Sequence, residues 1–419
     1  MINISIIGMG YIGLPLALEF SKYYKVTGFD IDKKKIKNLK NYIDQTKETK
    51  KILIKKSKIN FTSKSAELKK SNVYIVTVPT PLYKNNKPNL SPLKKACQTI
   101  GKCLKKNDIV IFESTVYPGA TEEICVPILT SSSKLIYNKD FFCGYSPERI
   151  NPGDKINNLS TIKKITSGSN KKISIVVDNL YKKIIKAGTY RAKNIKIAEA
   201  AKVIENCQRD LNIAFMNDIT MMLNKMNINV YEVLEAAKTK WNFLNFYPGL
   251  VGGHCVAVDP HYLYQKGKEV GYESKIIKIS RKINDSMPSF VAKDIIKKIK
   301  EKKLSKKTKI NILILGITFK ENCNDTRNSL VPDIYKKLSN SIYNVSVYDP
   351  LVESSYFNSK KIQYVKKLKN YFYDVIIMAV PHKSILNIGM NKIKKSLKKN
   401  SFIYDIKGAY KKNNNIESF

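Results

Sequence analysis

Short runs of consecutive apolar residues alternate with helical periodicities along most of the chain. Residues 2–7 form the first run, the glycine series Gly8-Met9-Gly10-Tyr11-Ile12-Gly13 follows, and Leu14, Leu16, Ala17, Leu18 and Phe20 then recur at helical spacing. A second run at 25–29 ends on Asp30, and others stand at 73–78, 109–112 and 142–145. Unbroken rather than alternating apolar runs predict strands covered on both faces, as in a parallel sheet flanked by helices. From about Asn194 the pattern becomes one long helical stretch through Ala198, Ala201, Ile204, Leu211, Ala214 and Phe215 without Gly or Pro. A glycine-rich loop, 249–260, and further helical stretches to about Lys302 come next, then a lysine-rich linker at 303–309. A second α/β series occupies 310–316, 344–348 (ending at Asp349), 375–380 and 402–405. The predicted fold class is α/β: two Rossmann-like doubly wound domains, residues 1–193 and 304–419, joined by a central helical domain, 194–303, with one long helix.

Strand, G-x-G-x-x-G, helix, strand and acidic residue, in that order, make a dinucleotide site. The glycines admit a pyrophosphate at the helix N-terminus, and a carboxylate at the end of the second strand takes the ribose hydroxyls. Asp30 follows Gly8 by 22 residues and favours NAD. Lys33, Lys34 and Lys35 just beyond it leave a 2′-phosphate open. Parallel-sheet ligands sit beyond the carboxyl ends of strands, where Thr80 and Thr115 fall, although hydroxyls there also serve as turn formers. The stretch Ser146-Pro147-Glu148-Arg149 is a third such place. The second α/β series lacks the glycine signature but repeats the doubly wound logic, so a nucleotide-like ligand is expected at Phe319-Lys320.

The loop Gly249-Leu250-Val251-Gly252-Gly253-His254-Cys255 delivers a thiol behind three glycines, with Asp259 four residues on. Glycines let backbone approach a ligand closely, so the loop suggests a cradle with a nucleophile at its lip, against the plainer reading of a buried cysteine after a loop. Lys202 and Asn206 are one helical turn apart and share a face. A solvated lysine is the default, and the neighbouring Ala198, Ala201 and Ile204 argue for a partly buried amine.

Composition narrows the classes. Seven scattered cysteines and three histidines, with no C-x-x-C pair, imply neither a disulfide framework nor a zinc site. A formal charge of +41 raises nucleic-acid binding, but the lysines are spread over the whole length without a basic patch or binding motif. The N-terminal residues enter a strand with no charged leader and no membrane-spanning run, which leads to the expectation of a cytoplasmic protein without a membrane or metal partner. The basic residues number 75, and only Arg149, Arg191, Arg209, Arg281 and Arg327 are arginines. Where a plain positive charge suffices this chain uses Lys, so each Arg marks a place for the planar, two-pronged guanidinium.

Taken together, these motifs resemble the nucleotide-sugar 6-dehydrogenases, the UDP-glucose/GDP-mannose dehydrogenase family, over essentially the full length. The resemblance rests on 8–13, Pro79-Thr80-Pro81, Glu113-Ser114-Thr115-Val116-Tyr117-Pro118-Gly119, 146–149, 198–206, Gly252-Gly253-His254-Cys255 with Asp259, and Phe319-Lys320 with Asp325 and Arg327. It implies an NAD-binding first domain, a central domain that makes a homodimer, and a UDP-sugar-binding last domain. It further implies that Gly8, Gly10, Tyr11, Ile12, Gly13, Asp30, Lys35, Thr80, Thr115 and Arg327 contact NAD. By the same resemblance Glu148 to Pro152 (Arg149 included), Lys202, Asn206, Asn245, Tyr247, Gly249, Gly252, Gly253, Phe319, Lys320 and Lys407 contact the sugar nucleotide. Cys255 is similar to the family nucleophile, with Lys202, Asn206, Glu148, Thr115 and Asp259 as its catalytic company. Lys240 lies nearest the place from which the glucose enzymes reach into the neighbouring subunit. The implied reaction is a four-electron oxidation of a sugar C6 hydroxyl to a carboxylate for surface polysaccharide precursors. His254 with Thr239-Lys240-Trp241-Asn242-Phe243 resembles the N-acetylhexosamine branch, UDP-N-acetylglucosamine first, with UDP-glucose and UDP-N-acetylmannosamine as alternatives. Lys238 and His261 depart from the usual residues of that branch. A catalytically silent sensor would not need Cys255, Lys202 and Glu148 intact.

Overall fold

The computed structural model describes residues 1–46, 49–150, 159–304, 309–410 and 416–418. Asn151 and Pro152, expected at the sugar nucleotide, and 305–308 of the lysine-rich linker lie outside the described residues. The chain divides into two compact units: Met1–Asn206 with His261–Glu273, and Cys207–Pro260 with Ser274–Phe419.

The first unit is built on an eight-stranded sheet. Its strands are β1 (Asn3–Ile7), β2 (Lys25–Phe29), β3 (Asn60–Thr62), β4 (Val73–Val76), β5 (Asp108–Phe112), β6 (Phe141–Tyr145), β7 (Lys164–Gly168) and β8 (Thr189–Arg191), in the spatial order 3-2-1-4-5-6-7-8. The interior strands β4 and β5 are buried at every position, which is why the sequence there runs apolar without alternation. All pairings are parallel except β6 with β7. Ile4, Ile6, Leu16, Phe20, Ile75, Ile111, Val177 and Tyr181 are among the residues of its core. Strand order reverses between β1 and β4, and ligands of open α/β sheets bind at such a reversal.

The second unit carries a five-stranded parallel sheet of β9 (Ile310–Leu315), β10 (Tyr343–Tyr348), β11 (Tyr373–Met378), β12 (Leu397–Asp405) and β13 (Ile416–Ser418), ordered 10-9-11-12-13. Its reversal lies between β9 and β11. One face packs on the helix Lys275–Glu301 through Met287, Val291, Ile295 and Ile299. The helix Ile195–Lys225, 31 residues long, begins where the periodicity placed it and runs from the first unit into the second. Among the described residues no helix is long and apolar enough to cross a membrane, and no group of three or more His, Cys, Asp or Glu side chains is placed to hold a metal.

Candidate active site

At the β1–β4 reversal the glycine turn is dictated by space. A Cβ on Gly13 would stand 1.8 Å from the Gly8 carbonyl oxygen and 2.5 Å from Thr77 Oγ1, so the first turn of helix Gly13–Phe20 can close on β1 only with glycine there. Gly8 has φ of 103°, where side chains are strained. By contrast a Cβ on Gly10 meets nothing within 4 Å, which leaves open room over the turn that a pyrophosphate can fill. The N-terminus of that helix has no side-chain cap, and its first turn closes through the Leu14 amide, which donates to the Gly10 carbonyl at 3.0 Å.

Asp30 is buried at the end of β2 and fully engaged. Its Oδ2 accepts from the Met9 amide at 2.9 Å and from Lys35 Nζ at 2.7 Å, and its Oδ1 accepts from the Asp32 amide at 2.9 Å. Lys35 therefore neutralises Asp30 at the mouth of a cleft of about 950 Å³, lined by Gly8, Asp30, Lys35, Ser65, Pro79 and Thr99 among others. These residues fit a dinucleotide: an open pyrophosphate turn, a carboxylate at the ribose position and a cleft of sufficient volume. Thr80 Oγ1 donates to the Thr115 carbonyl at 2.7 Å, which joins the loops after β4 and β5. Tyr262 locks the same corner by donating to the Thr80 carbonyl at 3.0 Å.

Beneath Glu148 lies a buried charge cluster that local sequence patterns did not reveal. Lys164 Nζ, on β7, donates to Glu113 Oε2 at 2.7 Å and to Glu148 Oε2 at 3.2 Å, while Tyr181 donates to the other oxygen of Glu113. Glu148 Oε1 accepts from the amides of Arg149 and Ile150, both at 2.6 Å. Burial lifts Glu113 to about 7 against the pull of Lys164. Burial opposes the charge on Lys164, but Glu113 and Glu148 outweigh it and raise its pKa. Arg149 spans Glu205 with two nitrogens at 3.2 and 2.6 Å. Arg327 forks onto Asp325, and Arg281 bridges Asp210 and Asp285. Arg149 and Arg327 thus make the forked pairs expected of an arginine, Arg281 spreads its two prongs over two carboxylates, and Arg191 and Arg209 are exposed.

On the long helix Lys202 and Asn206 are both buried, and so is Glu199, which takes the amides of Gly119 at 2.6 Å and Thr121 at 2.9 Å. Glu199 was within reach of the sequence only as part of a motif; its role as the clamp on the 113–119 loop needed the fold.

In the second unit Asn217 holds the glycine loop. Its Nδ2 donates to the Gly249 carbonyl at 3.0 Å and to Asn284 Oδ1 at 2.8 Å, and its Oδ1 accepts from the Gly249 amide at 2.8 Å. Asn284 in turn donates to Asp210 Oδ1 at 2.7 Å. Gly253, φ 87°, lies against Phe319: a Cβ there would stand 2.7 Å from the ring. Asn328 Nδ2 donates to the Gly253 carbonyl at 3.1 Å. Cys255 follows half-buried, its carbonyl accepting from the Val258 and Asp259 amides at 2.9 and 2.8 Å to open helix Asp259–Glu269. Asp259 is buried. Burial, helped by Asp259 and Asp210, pushes the Cys207 thiol up to about 12, so that neighbouring thiol is inert.

His254 Nε2 pairs with Asp325 Oδ2 at 2.9 Å. That pairing and its edge-on contact with the Phe319 ring account for the imidazole, while Trp241 is 91% exposed. Asn242, Asn245, Tyr247 and Lys240 are also exposed. At the β9–β11 reversal, Leu250, Gly252, Thr318, Phe319, Lys320, Val380 and Lys407 line one small pocket, which places the expected nucleotide residues together. Lys407 Nζ lies 3.4 Å from Glu321. Asp349 ends β10 as Asp30 ends β2, and accepts from the Ile317 amide at 2.7 Å. Here, however, the fully buried His382 lies 3.2 Å from Asp349 Oδ2 and seals that carboxylate from solvent.

Three family descriptions match the chain: the UDP-glucose/GDP-mannose dehydrogenase family NAD binding domain over residues 2–185, central domain over 196–286 and UDP binding domain over 313–412. The chain is 48% identical over 408 residues to a UDP-N-acetyl-D-glucosamine 6-dehydrogenase of Salmonella typhi, covering 97% of this chain and 96% of that protein. It is 46% identical over 411 residues to Protein CapL of Staphylococcus aureus, with the same coverage. Among solved structures, UDP-D-ManNAc dehydrogenase of Pyrococcus horikoshii superposes with a TM-score of 0.87 at 30% identity, over 100% of this chain and 99% of that one.

Proposed function

Because the chain belongs to the UDP-glucose/GDP-mannose dehydrogenase family and is an NAD-dependent nucleotide-sugar dehydrogenase, we propose that it oxidises the C6 hydroxyl of UDP-N-acetylglucosamine to the carboxylate. NAD serves as the two-electron acceptor in each of two successive oxidations. In the first, Asp259 and a water held at Thr115 accept the hydroxyl proton. Cys255 thiolate then adds to the aldehyde carbon, and Lys202 with Asn206 stabilises the oxyanion of the thiohemiacetal. The second oxidation leaves a thioester on Cys255, and Glu148 activates the water that hydrolyses it. The observation that carries this reading is the pairing of chemistries within the described units. A buried amine and amide stand one helical turn apart in a chain whose other lysines are mostly solvated, and a half-buried thiol ends a loop clamped onto the Phe319 side of the second sheet.

In this reading Gly8 to Gly13, Asp30, Lys35, Thr80 and Arg327 hold NAD. Arg149, Asn245, Tyr247, Gly249, Gly252, Gly253, Phe319, Lys320 and Lys407 hold the UDP-sugar. Domains 1–193, 194–303 and 304–419 carry NAD binding, dimerisation and UDP binding, in a cytoplasmic homodimer whose Lys240 serves the neighbouring subunit. The sugar follows the relatives' names rather than His254 or Trp241, since the former is paired with Asp325 and the latter faces solvent. A second reading, UDP-N-acetylmannosamine, is favoured by the Pyrococcus horikoshii structure. The test is kcat/KM for UDP-N-acetylglucosamine, UDP-N-acetylgalactosamine, UDP-N-acetylmannosamine and UDP-glucose at saturating NAD. UDP-N-acetylglucosamine should exceed UDP-glucose at least ~10-fold, the value of one good contact in a closed site; a preference for any other sugar overturns the assignment.

A further inference from the structure

Glu148 does not stand alone in the first unit. It shares the ammonium of Lys164 with Glu113, and Lys164 and Glu113 are each less than 4% exposed at the side chain, deeper than Glu148, Lys202 or Asn206. A lysine is costly to bury unless it is paired; beyond its bond to Glu113, the second bond, to Glu148, brings it to the carboxylate that activates the hydrolytic water. The groups around Glu148 are Lys164 on β7, Glu113 after β5, Tyr181 on the helix Lys171–Lys182, and Arg149, whose guanidinium is held by Glu205. When all ionise, the triad of two carboxylates and one ammonium carries one negative charge.

We propose that Lys164 is a positioning residue for Glu148, holding its carboxylate in the orientation from which it can act on the hydrolytic water. The inference rests on the assignment of Glu148 as that base. In the step concerned, water adds its oxygen to the thioester carbon as one of its protons passes to Glu148 Oε2. The tetrahedral adduct collapses by breaking the C–S bond, Cys255 departs as thiolate, and the sugar leaves as the carboxylic acid, which ionises. Glu148 then returns its proton to solvent. No electrons are transferred. Lys164 keeps its proton throughout; its bond holds Oε2 in place, while the two backbone amides hold Oε1. Glu113, with Tyr181 behind it, anchors the same ammonium.

Three variants test this in the intact enzyme: Glu148→Gln, Glu113→Gln, and the double variant Lys164→Met/Glu113→Gln, which leaves neither an unpaired lysine nor a second buried carboxylate. Each is followed by intact-mass spectrometry during turnover and by kcat and KM under conditions where hydrolysis limits. Glu113→Gln should fold normally and keep kcat near the wild-type value, because Lys164 still holds Glu148. The double variant should lower kcat at least ~10-fold, within the usual range for a general base, and accumulate a sugar thioester on Cys255, with KM for the UDP-sugar little changed. A Glu113→Gln protein that accumulates the adduct as the double variant does overturns the proposal, as does a folded double variant with wild-type kcat and no adduct. If Glu148→Gln itself shows no adduct and normal kcat, the fault lies in the assignment of Glu148; adduct in Glu148→Gln but not in the double variant removes only Lys164.

Discussion

Replacing Asn217 by Leu tests whether the glycine loop is held by the second unit's own core. The amide makes three hydrogen bonds at 2.8–3.0 Å with full burial, two to Gly249 and one to Asn284. Leucine matches its size and makes none of them, so the Gly249 amide, the Gly249 carbonyl and Asn284 Oδ1 are each left buried without that partner. A buried group deprived of its partner costs roughly 1–3 kcal/mol, and loop relaxation will relieve part of it, so about 3 kcal/mol in total is expected. In a unit of about 200 residues that lowers the melting transition by roughly 6–12 °C. Differential scanning calorimetry measures the shift, and the same protein should show a raised KM for the UDP-sugar with NAD affinity unchanged, because the cleft at Asp30 belongs to the first unit. A shift below ~2 °C together with a normal KM would refute the clamp.

Cys255→Ser should bind both ligands yet lose steady NADH formation by orders of magnitude, since an alkoxide is far scarcer than a thiolate near neutral pH; turnover like the wild type would remove Cys255 from the mechanism. Lys240→Ala should lower UDP-sugar affinity, and mixing it with Lys202→Ala protein should restore activity in heterodimers, one site of which keeps both lysines; full activity of Lys240→Ala alone ends that idea. Burial raises Glu199 from its ordinary 4.5 to about 7. The native state then holds this proton more tightly than the unfolded chain, so its contribution to stability falls as pH rises from about 4.5 to about 7 and is level above. In Glu199→Gln melting temperature should fall less steeply across that window, and an unchanged slope would contradict the assignment.

The amino-acid sequence determined what depends on neighbours along the chain. Unbroken apolar runs declared β1, β4, β5, β9 and β11 as buried parallel strands, Gly8 to Gly13 and Asp30 declared the nucleotide turn, and the uninterrupted periodicity after Asn194 declared the long helix within a residue of its start. Scarcity of arginine also carried information, because composition reveals which positive charges need a planar fork. The three-residue strands β3, β8 and β13 escaped notice, being too short to show a period, and the antiparallel β7 was hidden because direction is set by the sheet and not by the strand. Side-chain partnerships were decided by tertiary structure alone. Lys164 meets Glu113 from 51 residues away, and Asn217 meets Asn284 from 67. Asp30 and Asp349 occupy the same place at their strand ends, yet one faces a cleft beside Lys35 and the other is sealed by His382. Local patterns report whether a position is buried, but which charge it meets there depends on how distant strands and helices stack, and hydrogen bonds to buried ions are short-ranged enough that only that stacking can choose them.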